Sequence, residues 1–499
     1  MAWTRRKLLK TGLGLALASS MPFSASCGTD TAGTVAPLPV PVPPPPEFPQ
    51  PPVLTSSEGL LEATLNVDFA QHTISGQTFT HRSFNGLLGG PTLRVRPGDT
   101  LRLRVNNNLP AEADDMVMPA DENIPHGNNT TNIHTHGLHV SPQGNSDNIF
   151  VSIGPGQAFD YEYQIPADHP AGTYWYHTHH HGSTSVQLFS GMAGALIIQG
   201  DIDEVPAVAL ARDIVAIIHE LNIGPDGQVP AFMGPGSFPL TQRFLTVNGE
   251  ILPRLVVNPG EVVRLRVINA TVRTEMPLFL DGHELNVIAY DGIALPATRP
   301  DQISLPPAGR ADVMFRAGAP GIYSLRKGVG NAGINPDPEV VLATVEVAGS
   351  PVTMNLPFDL PAPFLPIADD ELTGQRELVF AVGPGGPAPG FPNFTIDGVR
   401  FDPDVVNQTV QLGAVEQWVL TNTSNVTHPF HIHINDFQVM SINGVAPPVP
   451  EWRDTVDIPP NGQVIIRSRF LDFTGVYVLH CHILTHEDTG MMQIVQVVG

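Results

Sequence analysis

One strand signature occurs three times along the chain, and this repeat limits the fold more than any other feature. Val95-Arg96-Pro97-Gly98 leads through Leu101-Arg102-Leu103-Arg104-Val105 to Asn107. Val257-Asn258-Pro259-Gly260 leads through Val263-Arg264-Leu265-Arg266-Val267 to Asn269. Gln411-Leu412-Gly413 leads through Trp418-Val419-Leu420 to Asn422, with the same Gly-to-Asn spacing in every copy. A second signature closes each copy: Gly172-Thr173-Tyr174-Trp175-Tyr176-His177, Gly321-Ile322-Tyr323-Ser324-Leu325-Arg326 and Gly475-Val476-Tyr477-Val478-Leu479-His480. Apolar alternation bounded by Gly and Pro reads as strands, and a fixed repeat is stronger than any single strand assignment. The 51 Pro and 47 Gly supply the turns that an all-β chain needs. The repeat therefore predicts three β-sandwich domains, near 55–200, 205–350 and 360–499, with no long helix.

The ends and the charge narrow the setting. Residues 1–27 form a targeting segment: Thr4-Arg5-Arg6-Lys7-Leu8-Leu9-Lys10 is a twin-arginine signature followed by a short apolar run. It predicts export by the twin-arginine route to the periplasm or beyond. Ser24-Ala25-Ser26-Cys27 fits a lipoprotein cleavage site that would anchor the chain through Cys27, and cleavage there without lipid fits as well. Residues 28–54 are Pro-rich and read as an extended linker. No segment is long and apolar enough to be expected to cross a membrane. A net charge of −23 disfavours nucleic acid and anionic lipid as partners. Small molecules are the expected partners, and a monomer the expected state.

The 19 histidines are not scattered. Chance would place about 0.7 pairs at i, i+2, whereas five occur, in four clusters: His134-Thr135-His136, His177-Thr178-His179 with His181, His431-Ile432-His433, and His480-Cys481-His482. On a strand that spacing puts both imidazoles on one face, the arrangement a metal needs from a rigid scaffold. In the last triplet Cys481 faces the other way, so one side can serve a His cluster and the other a second metal. His428, His486 and Met491 are its candidate partners. Two His, one Cys and a weak axial Met form the blue-copper, electron-transfer set.

These motifs resemble the multicopper oxidases, the family of laccases and bacterial copper-efflux oxidases. The resemblance rests on His134-Thr135-His136-Gly137, Trp175-Tyr176-His177-Thr178-His179, the stretch His428-Pro429-Phe430-His431-Ile432-His433, and the run from His480 to Met491. It implies three consecutive cupredoxin-like Greek-key sandwiches holding four coppers. His428, Cys481, His486 and Met491 would hold the type 1 copper, and His134 and His431 the type 2 copper. His136, His177, His179, His433, His480 and His482 would hold the type 3 pair. The middle domain would supply no ligand: Arg326 stands where His177 and His480 stand, and Met276-Pro277-Leu278-Phe279-Leu280-Asp281 stands roughly where 428–433 stands.

The resemblance also implies the reaction: a small reducing substrate gives single electrons to the type 1 site through Cys481, and dioxygen becomes water at the other three coppers. Asp147 and Glu487 are the candidates for delivering protons. His126, His139, His180 and His181 are expected near the ligands or on the surface, and Asp454 in a structural turn. Among substrates, phenols and aromatic amines are expected over Cu(I) or Fe(II). Soft Cu(I) would want several thioethers, and residues 351–395 hold only Met354. A copper-free scaffold is the non-enzymatic alternative, but every ligand position is filled.

Overall fold

The repeated strands are the central strands of the protein. The computed structural model describes residues 46–112, 119–230, 241–300, 302–330, 337–357 and 359–499. The 1–27 segment with Cys27, and residues 28–45 of the Pro-rich linker, lie outside the described residues.

Thr100–Asn107, Val262–Ala270 and Ala414–Asn422 each sit between two neighbours. A parallel partner lies on one side: Leu60–Ile74, Arg212–Ile223 and Gly374–Gly383, respectively. An antiparallel partner lies on the other: Ala158–Gln164, Arg310–Arg316 and Gln463–Phe470. The second signature centres a second sheet in each copy. Gly172–His177 lies between His134–His136 and Ala193–Ile198. Gly321–Lys327 lies between Met276–Leu280 and Val340–Val347. Gly475–Cys481 lies between His428–Ile432 and Met492–Val498. The six sheets thus form three cupredoxin-like sandwiches, each closed over its own apolar core. Among the described residues the longest helix is Thr184–Phe189, so the all-β expectation holds. No described helix is long and apolar enough to cross a membrane.

The Asn that ends each repeat has one job in all three domains. Asn107 donates its amide to the carbonyls of Asn129 and Ile153, Asn269 to Thr274, Leu305 and Pro306, and Asn422 to Val426, Ile458 and Pro459. All three are buried. Each side chain donates to carbonyls gathered where its strand ends, which is why a polar residue ends an apolar strand.

The domains differ in what their outer faces meet. Arg102 and Arg104 in the first domain are exposed and pair with Glu162 and Asp160. Arg264 and Arg266, at equivalent positions in the second, are fully buried and pair with Asp312, Asp203 and Asp213. That face packs on the first domain, where Thr173 donates to Asp312. The join is tight at Gly172: a Cβ there would lie 1.9 Å from the carbonyl oxygen of Gly292.

Candidate metal centre

Strand pairing assembles the histidines. His134 lies opposite His177 in the first domain, and His431 opposite His480 in the third. The two pairs face each other across the join between these domains. His134 stacks on His433 and His136 on His431, each with ring centroids 3.8 Å apart. Three groups result, within each of which the ligating atoms lie within 4.8 Å of one another: His134, His136 and His431; His136, His177 and His482; and His179, His433 and His480. Every sequence-predicted histidine of the cluster is in one of them, and all are buried.

The ring nitrogens are prepared for a cation. His134 Nδ1 lies 2.9 Å from Asp147, His177 Nδ1 donates to the Thr178 carbonyl at 2.9 Å, and His431 Nδ1 to the Asp454 carbonyl at 2.8 Å. The opposite nitrogen of each ring, Nε2, is buried with no hydrogen-bond partner among the described residues. Both nitrogens of His482 are also unpartnered. Burial first, and then the neighbouring imidazoles, hold His134, His433 and His482 well below the usual histidine range. His480 is pushed down to about 3, mainly by burial. These rings are therefore neutral; His134, His433 and His482 each keep a nitrogen with no hydrogen-bond partner among the described residues, and His480 Nε2 lies 3.1 Å from His179 Nε2 and 3.3 Å from His433 Nε2. Buried polar atoms are rarely left so, and this is the form in which imidazole binds a metal.

The other face of Gly475–Cys481 carries a second donor set. Cys481 Sγ lies 3.5 Å from His428 Nδ1 and 3.6 Å from His486 Nδ1. His428 Nε2 is fixed by the Ser424 hydroxyl at 2.9 Å, and the His486 ring stacks on Phe394 at 4.0 Å. Met491 is fully buried in the same core cluster, and its carbonyl accepts from the Cys481 N–H at 3.0 Å. Burial, with Glu487 and Asp457 adding to it, pushes the Cys481 thiol far up. Only a metal would make it a thiolate at neutral pH. The donor types of both sets fit copper.

Carboxylates surround the cluster. Asp147 accepts from the Thr135 N–H at 2.7 Å as well as touching His134. Glu487 lies 3.0 Å from His480 Nδ1 and 3.5 Å from His179 Nδ1 and accepts from the Thr184 hydroxyl. Burial pushes both carboxyls up to about 7. Asp488, which the sequence did not single out, accepts from the N–H groups of Gly182, Thr184 and Ser185, tying the third domain to the first. Asp454 is not merely part of a turn: it meets His136 Nε2 at 3.1 Å. Its side-chain partner is Arg310 of the middle domain, which sequence reasoning also missed. His126, His139, His180 and His181 join none of the ligand groups. His139 instead lines a cleft of about 420 Å³ with His169, Asp436, Trp452 and Phe473, which none of His428, Cys481, His486 and Met491 lines.

Three family profiles described as "Multicopper oxidase" match residues 111–202, 226–348 and 374–498. The chain belongs to the multicopper oxidase family. It is an oxidoreductase with dioxygen as electron acceptor. Among curated multicopper oxidases it is similar to "Multicopper oxidase mco" of Staphylococcus haemolyticus, 28% identical, with 83% of each chain covered. It is also similar to "Laccase" of Bacillus subtilis, 28% identical over 82% of this chain and 88% of that one. Among solved structures it resembles a multicopper oxidase from Campylobacter jejuni described as a metallo-oxidase. That match has a TM-score of 0.74 and 26% identity, and covers 90% of this chain and 96% of that one.

Proposed function

We propose that this multicopper oxidase is an exported laccase-like enzyme with four coppers, oxidising phenols and aromatic amines one electron at a time. The observation that carries the reading is the strand Gly475–Cys481. It puts Cys481 among His428, His486 and Met491 on one face and His480 in the histidine cluster on the other. In this reading His428, Cys481, His486 and Met491 hold the type 1 copper. His134 and His431 hold the type 2 copper, and His136, His177, His179, His433, His480 and His482 hold the type 3 pair. Bound copper supplies one-electron acceptance at the first site and four-electron reduction of dioxygen to water at the other three.

The chain's own residues do the rest. Cys481 is joined by peptide bonds to His480 and His482, so the two sites are linked covalently while substrate and dioxygen stay apart. His486, 8% exposed, is the ligand of the Cys481 set nearest the solvent, whereas His428 and Met491 are fully enclosed. Phe394 stacked on it offers an aromatic substrate an apolar approach. Glu487, at its Oε atoms, and Asp147, at its Oδ atoms, hold and release the protons that making water consumes. The twin-arginine signature supports export, and the Cys27 motif supports a lipid anchor.

Substrate class follows from the missing thioethers. Met354, the sole Met of residues 351–395, accepts from the Val262 N–H at 3.4 Å and packs with Ile202 and Val208. It is committed to a domain join rather than to a Cu(I) site. Oxygen uptake by the copper-loaded chain, with a phenol, Cu(I) and Fe(II) compared side by side, tests the choice. Faster uptake with the phenol is expected; faster uptake with either metal ion would make this chain a metallo-oxidase.

A further inference from the structure

The middle sandwich gives the cluster no histidine, yet one of its side chains reaches the ligands. Arg310 begins the strand Arg310–Arg316 and is completely buried. Its guanidinium grips both oxygens of Asp454, with Nη1 to Oδ1 at 2.7 Å and Nη2 to Oδ2 at 2.5 Å. Its remaining N–H groups are also used. Nε donates to the Thr173 carbonyl, Nη1 also to the Ala308 carbonyl, and Nη2 also to the Asp291 carbonyl. All three domains meet at this one fork.

Asp454 in turn holds two rings. Its Oδ1 lies 3.1 Å from His136 Nε2 and also accepts from the Thr455 hydroxyl at 2.8 Å. Its backbone carbonyl accepts from His431 Nδ1 at 2.8 Å. These bonds leave His136 Nδ1 and His431 Nε2 as the unpartnered atoms that face the other rings. Asp291, also from the middle sandwich, braces the assembly. Its Oδ1 accepts from the Arg310 N–H at 2.8 Å, and its Oδ2 from the N–H groups of Asp454 and Thr455 at 3.3 Å. The glycine after the first histidine pair belongs to the same device. A Cβ on Gly137 would lie 2.5 Å from both Arg310 Nη2 and Asp454 Oδ2, and its φ of +87° suits glycine.

We propose that Arg310 is a positioning residue for the copper cluster: by clamping Asp454 it fixes which nitrogen His136 and His431, from two different domains, present to the metal. The inference rests on the ligand assignment proposed above. A ligating His whose other nitrogen is held by a carboxylate or carbonyl has its tautomer and ring plane set, and loss of such partners typically costs 10–100-fold in metal affinity. Only arginine offers the planar fork that both carboxylate oxygens receive here.

The test compares the full-length chain with R310K, with R310M/D454L and with H431A. R310K keeps the charge but not the fork. R310M/D454L removes both charges, so an unpaired buried ion cannot be what disturbs it. Bound copper per chain, the type 2 electron paramagnetic resonance signal and the blue type 1 absorption are read on each. For R310K and R310M/D454L, affinity for the cluster copper should fall about 10–100-fold. The type 2 signal should be weakened or shifted, while the blue absorption per chain stays full and shows the third domain folded. Parental copper content and an unchanged type 2 signal in R310M/D454L would overturn the clamp. H431A separates the two claims. If it keeps the type 2 signal, the ligand assignment is wrong, and the copper content of R310M/D454L alone decides whether the clamp matters.

Discussion

Glu487→Gln isolates the proton supply from the electron supply. The side chain is fully enclosed, 3.0 Å from His480 Nδ1 and 3.5 Å from His179 Nδ1, with the Thr184 hydroxyl donating to it. Gln keeps the size and one acceptor oxygen but cannot carry an exchangeable acidic proton near pH 7. General acid–base groups contribute about 10²- to 10⁴-fold. The low end is the fitting value here, because a second buried carboxylate, Asp147, stands beside a different ring, His134. We therefore expect dioxygen consumption to fall about 100-fold, or about 2.7 kcal/mol in barrier. The donor set of His428, Cys481 and His486 is untouched, so anaerobic bleaching of the blue colour by a phenol should keep its parental rate. Oxygen uptake and stopped-flow absorbance, on protein of matched copper content, measure the two. Turnover within about twofold of the parent, or bleaching slowed as much as turnover, would refute the assignment of Glu487 to proton delivery.

Other outcomes follow from packing and burial. Gly172→Ala drives a Cβ to 1.9 Å from the Gly292 carbonyl oxygen, backbone against backbone; it should cost at least about 3 kcal/mol, read as a lowered melting temperature. Asn422→Ala removes a donor from the carbonyls of Val426, Ile458 and Pro459, the first and last of which keep the Ser424 hydroxyl and the Gly462 N–H, for about 2 kcal/mol in urea unfolding and a weaker blue band, since His428 follows that loop. His219 is fully buried, and burial lowers it from 6.5 to about 4. The unfolded chain therefore binds a proton there that the folded chain refuses, and stability is lost as pH falls from about 6.5 toward 4. His219→Leu lacks this loss and should gain about 3 kcal/mol on the parent between pH 7 and pH 4, measured by denaturation at both. Removing copper with a chelator should lower the melting temperature, and re-adding it should restore the parental value, because ligands bring metal affinity only in the folded chain.

The repeat made the three sandwiches legible because each copy keeps its strand, its closing glycine and its terminal Asn. The histidine groups were legible for a related reason. A period of two on a strand fixes the face, and the His134–His177 and His431–His480 pairings simply bring such faces together. What stayed hidden depends on how domains meet. Arg102 and Arg264 occupy the same place in the repeat, yet one is solvated and the other enclosed, because only the second is covered by a neighbouring domain. Arg310 and Asp454 are far apart in the chain and neither sits in a repeated spacing, so their contact could not be read from pattern. Asp454 after Trp452-Arg453 reads as a turn in sequence; its carboxylate instead bridges an imidazole and a guanidinium. Gly137 stood visibly in its motif, but its reason, two side chains within 2.5 Å of a would-be Cβ, is a tertiary one.

The most direct measurement of the central claim is the electron count. The copper-loaded chain would oxidise a known amount of phenol in a sealed oxygen electrode, with catalase added at the end to reveal peroxide. Four one-electron oxidations per dioxygen consumed, and no oxygen returned by catalase, is the result expected of an electron-accepting site around Cys481 wired to a separate oxygen-reducing cluster. Two oxidations per dioxygen, with half the oxygen returned by catalase, would contradict it.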